Sequence, residues 1–231
     1  MTGTIINIIT VLVGGTLGLL LGTKVADRIR ETVIAGLGLF VLGFGLYTFL
    51  ETNNPLIVLG SLLIGVLLGE WWRIEDGLKN LGTLLEARFT RKSGDTNLFV
   101  HGFLAASILF CVGPMSILGS IQDGLIGDYS ILATKAIMDG FAALAFASTM
   151  GSGVLFSVIV IFIYQGGISL LANQLNTVIS ATMMAEMTAT GGILLIGIAI
   201  SSLLEIKKIR VGNFLPALVI APLIVYILGI L

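Results

Sequence analysis

Apolar residues along this chain form eight long runs, separated by polar or glycine-rich intervals. Each run has roughly the 20 residues that a helix needs to cross about 30 Å of hydrocarbon. Membrane β-strands would be shorter and would alternate in polarity, so the pattern favours helices. We therefore predict eight spans: Thr4–Gly22, Thr32–Leu50, Pro55–Trp72, Leu98–Ser120, Ser130–Met150, Val154–Ala172, Met183–Leu204 and Asn213–Leu231.

Composition agrees with an all-α polytopic membrane protein. Hydrophobic residues make up 56% of the chain and charged residues 11%, and the mean hydropathy is +1.09. Soluble domains carry about 25% charged residues, so this chain has too few polar groups to cover a soluble globule. Cys111 is the single cysteine, which excludes an intramolecular disulfide, and no metal-ligand spacing occurs. We therefore expect no cofactor.

Positive charge is concentrated in three loops, which hold all but one of the 12 Lys and Arg residues. With eight spans, the loops at 23–31, 73–97 and 205–212 all lie on one side of the membrane. The positive-inside rule makes that side cytoplasmic. We therefore predict that both termini lie outside.

The longest of these loops, residues 73–97, carries apolar positions at helical spacing from Ile74 to Phe89, with Glu75 on another face. This pattern predicts an interfacial amphipathic helix on the cytoplasmic surface. Acidic and basic residues nearly balance there, so we expect no nucleic-acid partner.

Two segments of the C-terminal third resemble the N-terminal third in the same order. Residues 36–51 align without a gap with 190–205, and residues 59–67 align with 215–223. Spans 1 to 3 then match spans 6 to 8, and a shift of five spans inverts the repeat across the membrane. We expect a homodimer, since only three spans are duplicated. The predicted regions are a three-helix repeat (1–72), the interfacial helix (73–97), a central helix pair (98–150) and the inverted repeat (151–231).

Longer motifs in the chain resemble one bacterial family. They include CVGPMSILGSIQDG (111–124), KAIMDGFAALAFAST (135–149), GSGVLFS (151–157) and RVGNFLPAL (210–218). Over essentially its whole length the chain resembles the integral membrane family catalogued as domain of unknown function 554. The resemblance implies a bacterial cytoplasmic (inner) membrane protein, and it supplies neither a substrate nor catalytic residues.

Helix breakers inside the spans are the first candidates for a functional site. Pro114 cannot form the helical bond to the carbonyl of Phe110, so we predict that span 4 breaks at Gly113-Pro114. Gln165 stands beside two glycines in span 6, and residues 188–192 hold Thr and Gly in span 7. These two segments are either discontinuous helices or packing surfaces.

Other polar or small residues near the ends of spans have open roles. Gln122 and Asp123 are either an acidic vestibule or ordinary solvated loop residues. Glu186 lies just inside the outer interface. Glycines at four-residue spacing on span 1 predict close packing against a neighbouring helix: Gly14, Gly18 and Gly22.

Lys135 is the only cation outside the cytoplasmic loops, and Asp139 follows it by one helical turn. Asp139 lies about 14 Å along span 5, near the midplane, where a charge is costly. A structural ion pair is possible, but apolar residues could replace it at little cost. We hypothesise that Asp139 binds a coupling cation or proton and that Lys135 sets its pKa or meets an anionic group. The Gly113-Pro114 break would then supply backbone partners.

These features predict a membrane transporter, either an ion-coupled secondary transporter or a channel-like protein for a small solute or ion. A non-transporting membrane protein with an assembly or regulatory role is the alternative, but it leaves the buried charges without a use. GLIGDY (124–129) has the wrong spacing for an aspartyl intramembrane protease, and no nucleotide motif occurs, so we expect no enzyme. The expected partners are the lipid bilayer and the solute or ion.

Overall fold

The computed structural model describes residues 1–22, 27–78, 80, 84, 96–111 and 114–230, and this part of the chain is helical without a β-strand. The α-helices are α1 (Thr2–Gly22), α2 (Asp27–Phe49), α3 (Pro55–Trp72), α4 (Thr96–Cys111), α5 (Pro114–Ile126), α6 (Ser130–Met150), α7 (Gly153–Leu170), α8 (Ala172–Val178), α9 (Ala181–Ile198) and α10 (Ala217–Ile230). A π-helical segment, Ala199–Leu203, continues α9, and a short 3-10 helix, Val211–Phe214, precedes α10.

By length and composition, 7 segments of the described chain could each cross a membrane, and the bent pair α4–α5 raises the number to 8. The all-α polytopic class is therefore confirmed. Predicted spans 3 and 5 have the bounds of α3 and α6. The predicted break in span 4 is also confirmed, because α4 ends at Cys111, α5 begins at Pro114, and the two helices are bent by 62°.

The two other segments with Gly and polar residues are packing surfaces within continuous helices. α7 passes through Gln165 and its two glycines, and α9 passes through residues 188–192. A Cβ atom placed on Gly192 would lie 2.6 Å from the carbonyl oxygen of Gly45 in α2. The glycine therefore permits close approach of two helices, as small residues do in membranes.

The chain divides into two compact units, and the boundary falls inside α2. Unit 1 comprises Met1–Leu37 and Leu81–Val178, and unit 2 comprises Gly38–Asn80 and Ile179–Leu231. In unit 1, α1 packs against α6 in parallel through the predicted glycine face. A Cβ atom on any of three glycines would overlap a backbone carbonyl of α6: Gly14 with Gly140, Gly18 with Leu144 and Gly22 with Ser148.

The bent pair α4–α5 follows α7 along its whole length and in the same direction. Near the start of α7, a Cβ atom on Gly153 would overlap the carbonyl oxygen of Phe99 in α4. Near its end, the Ser169 hydroxyl donates to the carbonyl of Ser120 in α5 at 2.9 Å. Together, α4 and α5 thus extend over the length of one membrane-spanning helix despite the bend.

Most of the predicted interfacial helix lies outside the described residues, although residues 74–78 are helical. Glu75, predicted on a polar face of that helix, is instead buried within unit 2. Its carboxylate accepts from the Gly212 N–H at 2.8 Å, and its own N–H donates to Asn213 Oδ1 at 2.7 Å. Glu75 therefore links the end of α3 to the segment before α10.

Candidate functional site

Lys135 and Asp139 lie on the buried face of α6, one helical turn apart. Lys135 Nζ is 2.5 Å from Asp139 Oδ2, and each residue is 6% exposed. Asp139 lies about 14 Å along α6 from Ser130, at 1.5 Å per residue. The ion pair is therefore deep in a helix that is otherwise apolar enough to cross a membrane.

Two amide side chains from neighbouring helices complete this cluster. Asn7 Nδ2, on α1, donates to Asp139 Oδ2 at 3.0 Å and to Gln165 Oε1, on α7, at 3.3 Å. Both amide residues are fully buried. We call Asn7, Lys135, Asp139 and Gln165 the buried polar cluster, and all four residues belong to unit 1.

Two atoms of the buried polar cluster have no hydrogen-bond partner among the described residues: Asn7 Oδ1 and Gln165 Nε2. Buried polar atoms are rarely unpaired, because an unsatisfied group costs about 1–3 kcal/mol. The cluster thus offers one acceptor and one donor beside an ion pair with no net charge. Such an arrangement can bind an ion or a small polar group, and it can take up a proton at Asp139.

One carbonyl at the break beside Pro114 has a partner within the bent pair α4–α5. The Ser116 hydroxyl donates to the carbonyl of Phe110 at 3.1 Å, which is the carbonyl that Pro114 cannot bond. Gly113 lies outside the described residues. Among the described residues, no hydrogen bond joins the break to Asp139, so the expected backbone partners of that carboxylate stay a prediction.

Asp123 is not a solvated loop residue, because α5 extends past it and its side chain is 1% exposed. Its carboxylate accepts from the N–H groups of Thr2 at 3.2 Å and Gly3 at 3.0 Å, and it pairs with the Met1 amino group at 3.1 Å. The first N–H groups of a helix lack partners inside it and attract anions. Asp123 therefore binds the start of α1. Gln122 is half-buried beside it in α5.

Glu186 has a comparable role in unit 2, where its side chain is fully buried. Its carboxylate accepts from the Thr52 hydroxyl at 2.6 Å and from the N–H groups of Asn53 at 2.8 Å and Asn54 at 2.9 Å. These groups lie just before α3, so Glu186 binds the segment that starts this helix. The predicted position of Glu186 just inside the outer interface stays a prediction.

A family model described as "Protein of unknown function (DUF554)" matches residues 2–226 of the chain. The chain belongs to this family. The resemblance seen in the sequence motifs is therefore confirmed.

Two relatives match this DUF554 chain over nearly its whole length. "Uncharacterized membrane protein YdfK" of Bacillus subtilis (strain 168) is 31% identical over 232 residues, which cover 99% of this chain and 97% of the relative. "Uncharacterized protein YqgA" of Escherichia coli (strain K12) is 34% identical over 222 residues, which cover 95% of this chain and 94% of the relative. No solved structure matches the chain.

Asn7 is the member of the cluster that the sequence analysis of this DUF554 protein missed. Asn7 is the one Asn or Gln within predicted span 1, and this isolated amide in an apolar span could have indicated a buried polar contact. A buried amide needs hydrogen-bond partners, so a polar neighbour was to be expected. The sequence does not indicate which helix supplies that neighbour, because the answer depends on how α1 packs.

Proposed function

We propose that this protein is a membrane transporter, which moves a small solute or ion by ion-coupled or channel-like transport. The observation that carries the proposal is the buried polar cluster, in which Asp139 binds the coupling cation or proton. Lys135 sets the pKa of Asp139 or meets an anionic group of the solute. Ionisable residues inside membrane helices are rare and typically mark such pathways.

The energetics of the cluster also support a working role. A buried ion pair can often be replaced by apolar residues with no loss, or with a gain, of stability. The cluster adds to this pair two amides with unpaired atoms, which lower stability further. A functional role would explain why the cluster keeps these costly unpaired atoms.

The proposal includes the inverted repeat, in which α1, α2 and α3 match α7, α9 and α10. An axis in the membrane plane relates helices that run in opposite directions. Each matched pair is indeed packed antiparallel within its unit. For α1 and α7, the contacts that give the direction are Asn7 with Gln165 and Gly15 with Leu155. For α2 and the end of the α9 segment, they are Gly38 with Leu204 and Gly45 with Gly192. For α3 and the start of the α10 segment, they are Gly65 with Ala217 and Gly69 with Asn213.

The proposal also places the protein in the bacterial cytoplasmic membrane with both termini outside. In unit 2, Arg210 and Glu70 pair at 3.1 Å near the end of α3, which Arg73 follows directly. Cations from two of the basic loops therefore lie at the same end of this unit. The positive-inside rule makes that end cytoplasmic.

The test is charge movement by purified protein in proteoliposomes on a solid-supported membrane. The candidate substrates are protons, Na⁺, small carboxylates and amino acids. Currents are recorded after a rapid step in the pH or in the concentration of each of the others. We expect currents from the wild type that Asp139→Asn abolishes while thermal unfolding shows a folded protein. Glu51→Gln, a change of an exposed acid, is the matched control and keeps the currents.

A double variant tests the site assignment itself. Lys135→Met with Asp139→Leu removes both charges and keeps the helix apolar, so it is expected to fold. Full currents in this variant would show that the pair is structural. Wild-type vesicles without any current would instead favour the non-transporting role in assembly or regulation.

A further inference from the structure

The buried stripe of α1 changes character along its length. Toward its start the stripe holds Thr4 and Asn7, whereas further along it holds Val11, Gly14 and Gly18. Residues spaced by three or four positions share one helix face. One face of α1 is therefore polar on one side of the cluster and apolar on the other.

α7 shows the same change in the opposite chain direction. Its buried stripe begins with Val154 and Ile161 and ends with Gln165 and Ser169. Ser157 lies in the apolar half, but its hydroxyl donates to the Val154 carbonyl of its own helix at 2.6 Å. Because α1 and α7 are antiparallel, their polar halves meet at the same end of unit 1.

α5 adds a third polar surface at this end. The Ser120 carbonyl accepts from Ser169. Within the described part of the chain, the buried hydroxyls of Ser120 and Thr4 have no hydrogen-bond partner. We call Thr4, Asn7, Ser120, Gln165 and Ser169 the polar track, and it extends from Asp139 toward the end of unit 1 that carries Asp123.

The opposite half of unit 1 is closed by backbone packing. There α1 and α6 touch through glycines, with no room for a Cβ atom on Gly18 or Gly22. Ala143 and Ala147 of α6 are 0% and 2% exposed in this half. An apolar contact this close excludes water, so it separates Asp139 from that end.

We propose that Asp139 exchanges protons with one side of the membrane only, along the polar track, in the conformation described here. This inference rests on the proposed transport function and names its coupling ion. A hydronium ion donates the proton, and the Asp139 carboxylate accepts it. The neutral acid then no longer forms an ion pair with the Lys135 ammonium. In the proposed orientation, the side reached is the outside.

A proton fits this site better than Na⁺. The Lys135 ammonium already lies 2.5 Å from Asp139 Oδ2, and a metal cation bound to the same carboxylate would repel it. A proton needs no shell of oxygen ligands, and hydroxyl and amide groups can relay it with water. The titratable groups near Asp139 are Lys135 on its own helix and the Cys111 thiol of α4, with Tyr164 of α7 beside that thiol.

One apolar side chain narrows the track near its outer end. Leu132 of α6 is fully buried between Gly3 of α1 and Gly119 of α5. Cβ atoms placed on these glycines would lie 2.6 and 2.9 Å from Leu132. Leu132→Ala should therefore widen the polar track. In the experiment below, this variant should increase the rate at which track cysteines are labelled.

The experiment measures the reaction of single cysteines with a charged, membrane-impermeant methanethiosulfonate, in a Cys111→Ala background. Thr4→Cys and Ser120→Cys report on the track, and Val11→Cys and Ala143→Cys are matched controls, since all four native residues are 0% exposed. The reagent is added to spheroplasts and, separately, to inside-out vesicles. We expect several-fold faster labelling of the track cysteines from the outside only, and faster still with Leu132→Ala.

Equal, slow labelling of the track and control cysteines would overturn the proposal, as would labelling of the track from both sides. Ser169→Cys replaces either track variant that size-exclusion chromatography shows to be misfolded.

A second measurement compares the uptake of protons and of sodium by proteoliposomes. A pH dye trapped inside the vesicles reports proton uptake, and radioactive sodium reports sodium uptake. Sodium uptake without proton movement would overturn the choice of ion. One-sided labelling without transport of either ion would contradict the transport function and leave the track intact.

Discussion

Asp139 in unit 1 and Glu186 in unit 2 are both buried carboxylates in apolar helices, but they have different partners. Glu186 accepts from a hydroxyl and from two backbone N–H groups just before α3. In the described part of the chain, Asp139 accepts only from side chains, those of Lys135 and Asn7. Backbone donors are fixed by the fold, whereas side-chain donors can rotate away.

This difference separates a structural carboxylate from one that can exchange its ligand. A carboxylate bound by backbone N–H groups cannot leave them without depriving the helix start of its acceptor. A carboxylate bound by lysine and amide side chains can accept a proton or another cation with only side-chain movement. This contrast indicates a structural role for Glu186 and supports the proposed role of Asp139 in transport.

The largest loss of stability is expected from Glu186→Ala. The change leaves two backbone N–H groups and the Thr52 hydroxyl without their acceptor, and each such loss costs about 1–3 kcal/mol. We expect a total near 3 kcal/mol or more, measured by thermal unfolding in detergent. Glu51→Ala, at an exposed acid, is the control and should change little. A Glu186→Ala protein as stable as the wild type would remove the distinction between the two carboxylates.

A smaller loss of stability, about 1–3 kcal/mol, is expected from Gly14→Ala, because the new Cβ atom overlaps the backbone of α6. The shift of α1 should also move Asn7 away from Asp139 and reduce transport. Gly43→Ala in α2 is the matched control, since nothing lies within 4 Å of its Cβ position. That variant should be as stable as the wild type or up to about 1 kcal/mol more stable. Equal effects of the two changes would show that α1 and α6 are not in close contact.

Asp123→Asn should cost about 1 kcal/mol, because an amide oxygen can still accept from the start of α1 but carries no charge. Hydrogen exchange of the first turn of α1 measures the effect locally. We expect faster exchange there and unchanged exchange near Glu186. Unchanged exchange at Thr2 and Gly3 would contradict the role of Asp123 as a cap.

The length and polarity of the apolar runs predicted most of the fold, because a membrane helix needs about 20 apolar residues whatever its neighbours are. Pro114 likewise predicted the break, since proline lacks the N–H that a continuous helix uses. The short helix Ala172–Val178 and the π-helical segment were not predicted, because neither has a distinctive pattern of apolar residues.

The site was only half predictable. Lys135 and Asp139 are four residues apart on one helix, so local geometry alone brings them together. Asn7 and Gln165 join them through the packing of three helices, which depends on backbone contacts between distant glycines. The partners of Glu186 were not predictable for the same reason, since they precede a helix that is 132 to 134 residues away in sequence.

The smallest effect is expected from the exposed carboxylate Asp128, between α5 and α6. The Ser130 hydroxyl and the Ser130 backbone N–H both donate to it and hold its pKa below the ordinary value. Its stabilising effect is therefore complete above the ordinary pKa of about 4 and is lost as the pH falls through the lower pKa of the folded state. Asp128→Ala should lower Tm slightly at neutral pH, and the difference from wild type should shrink on acidification. A difference that grows at low pH would contradict this assignment.

Infrared difference spectroscopy of the protein in lipid, recorded during a downward step in pH, tests the role of Asp139 most directly. A protonated carboxyl group has its own C=O band, so proton uptake by Asp139 should appear as a band that Asp139→Asn lacks. The same band should persist in Asp123→Asn, where a structural carboxylate is changed. An unchanged band in Asp139→Asn would contradict the claim that Asp139 is the carboxylate that exchanges protons.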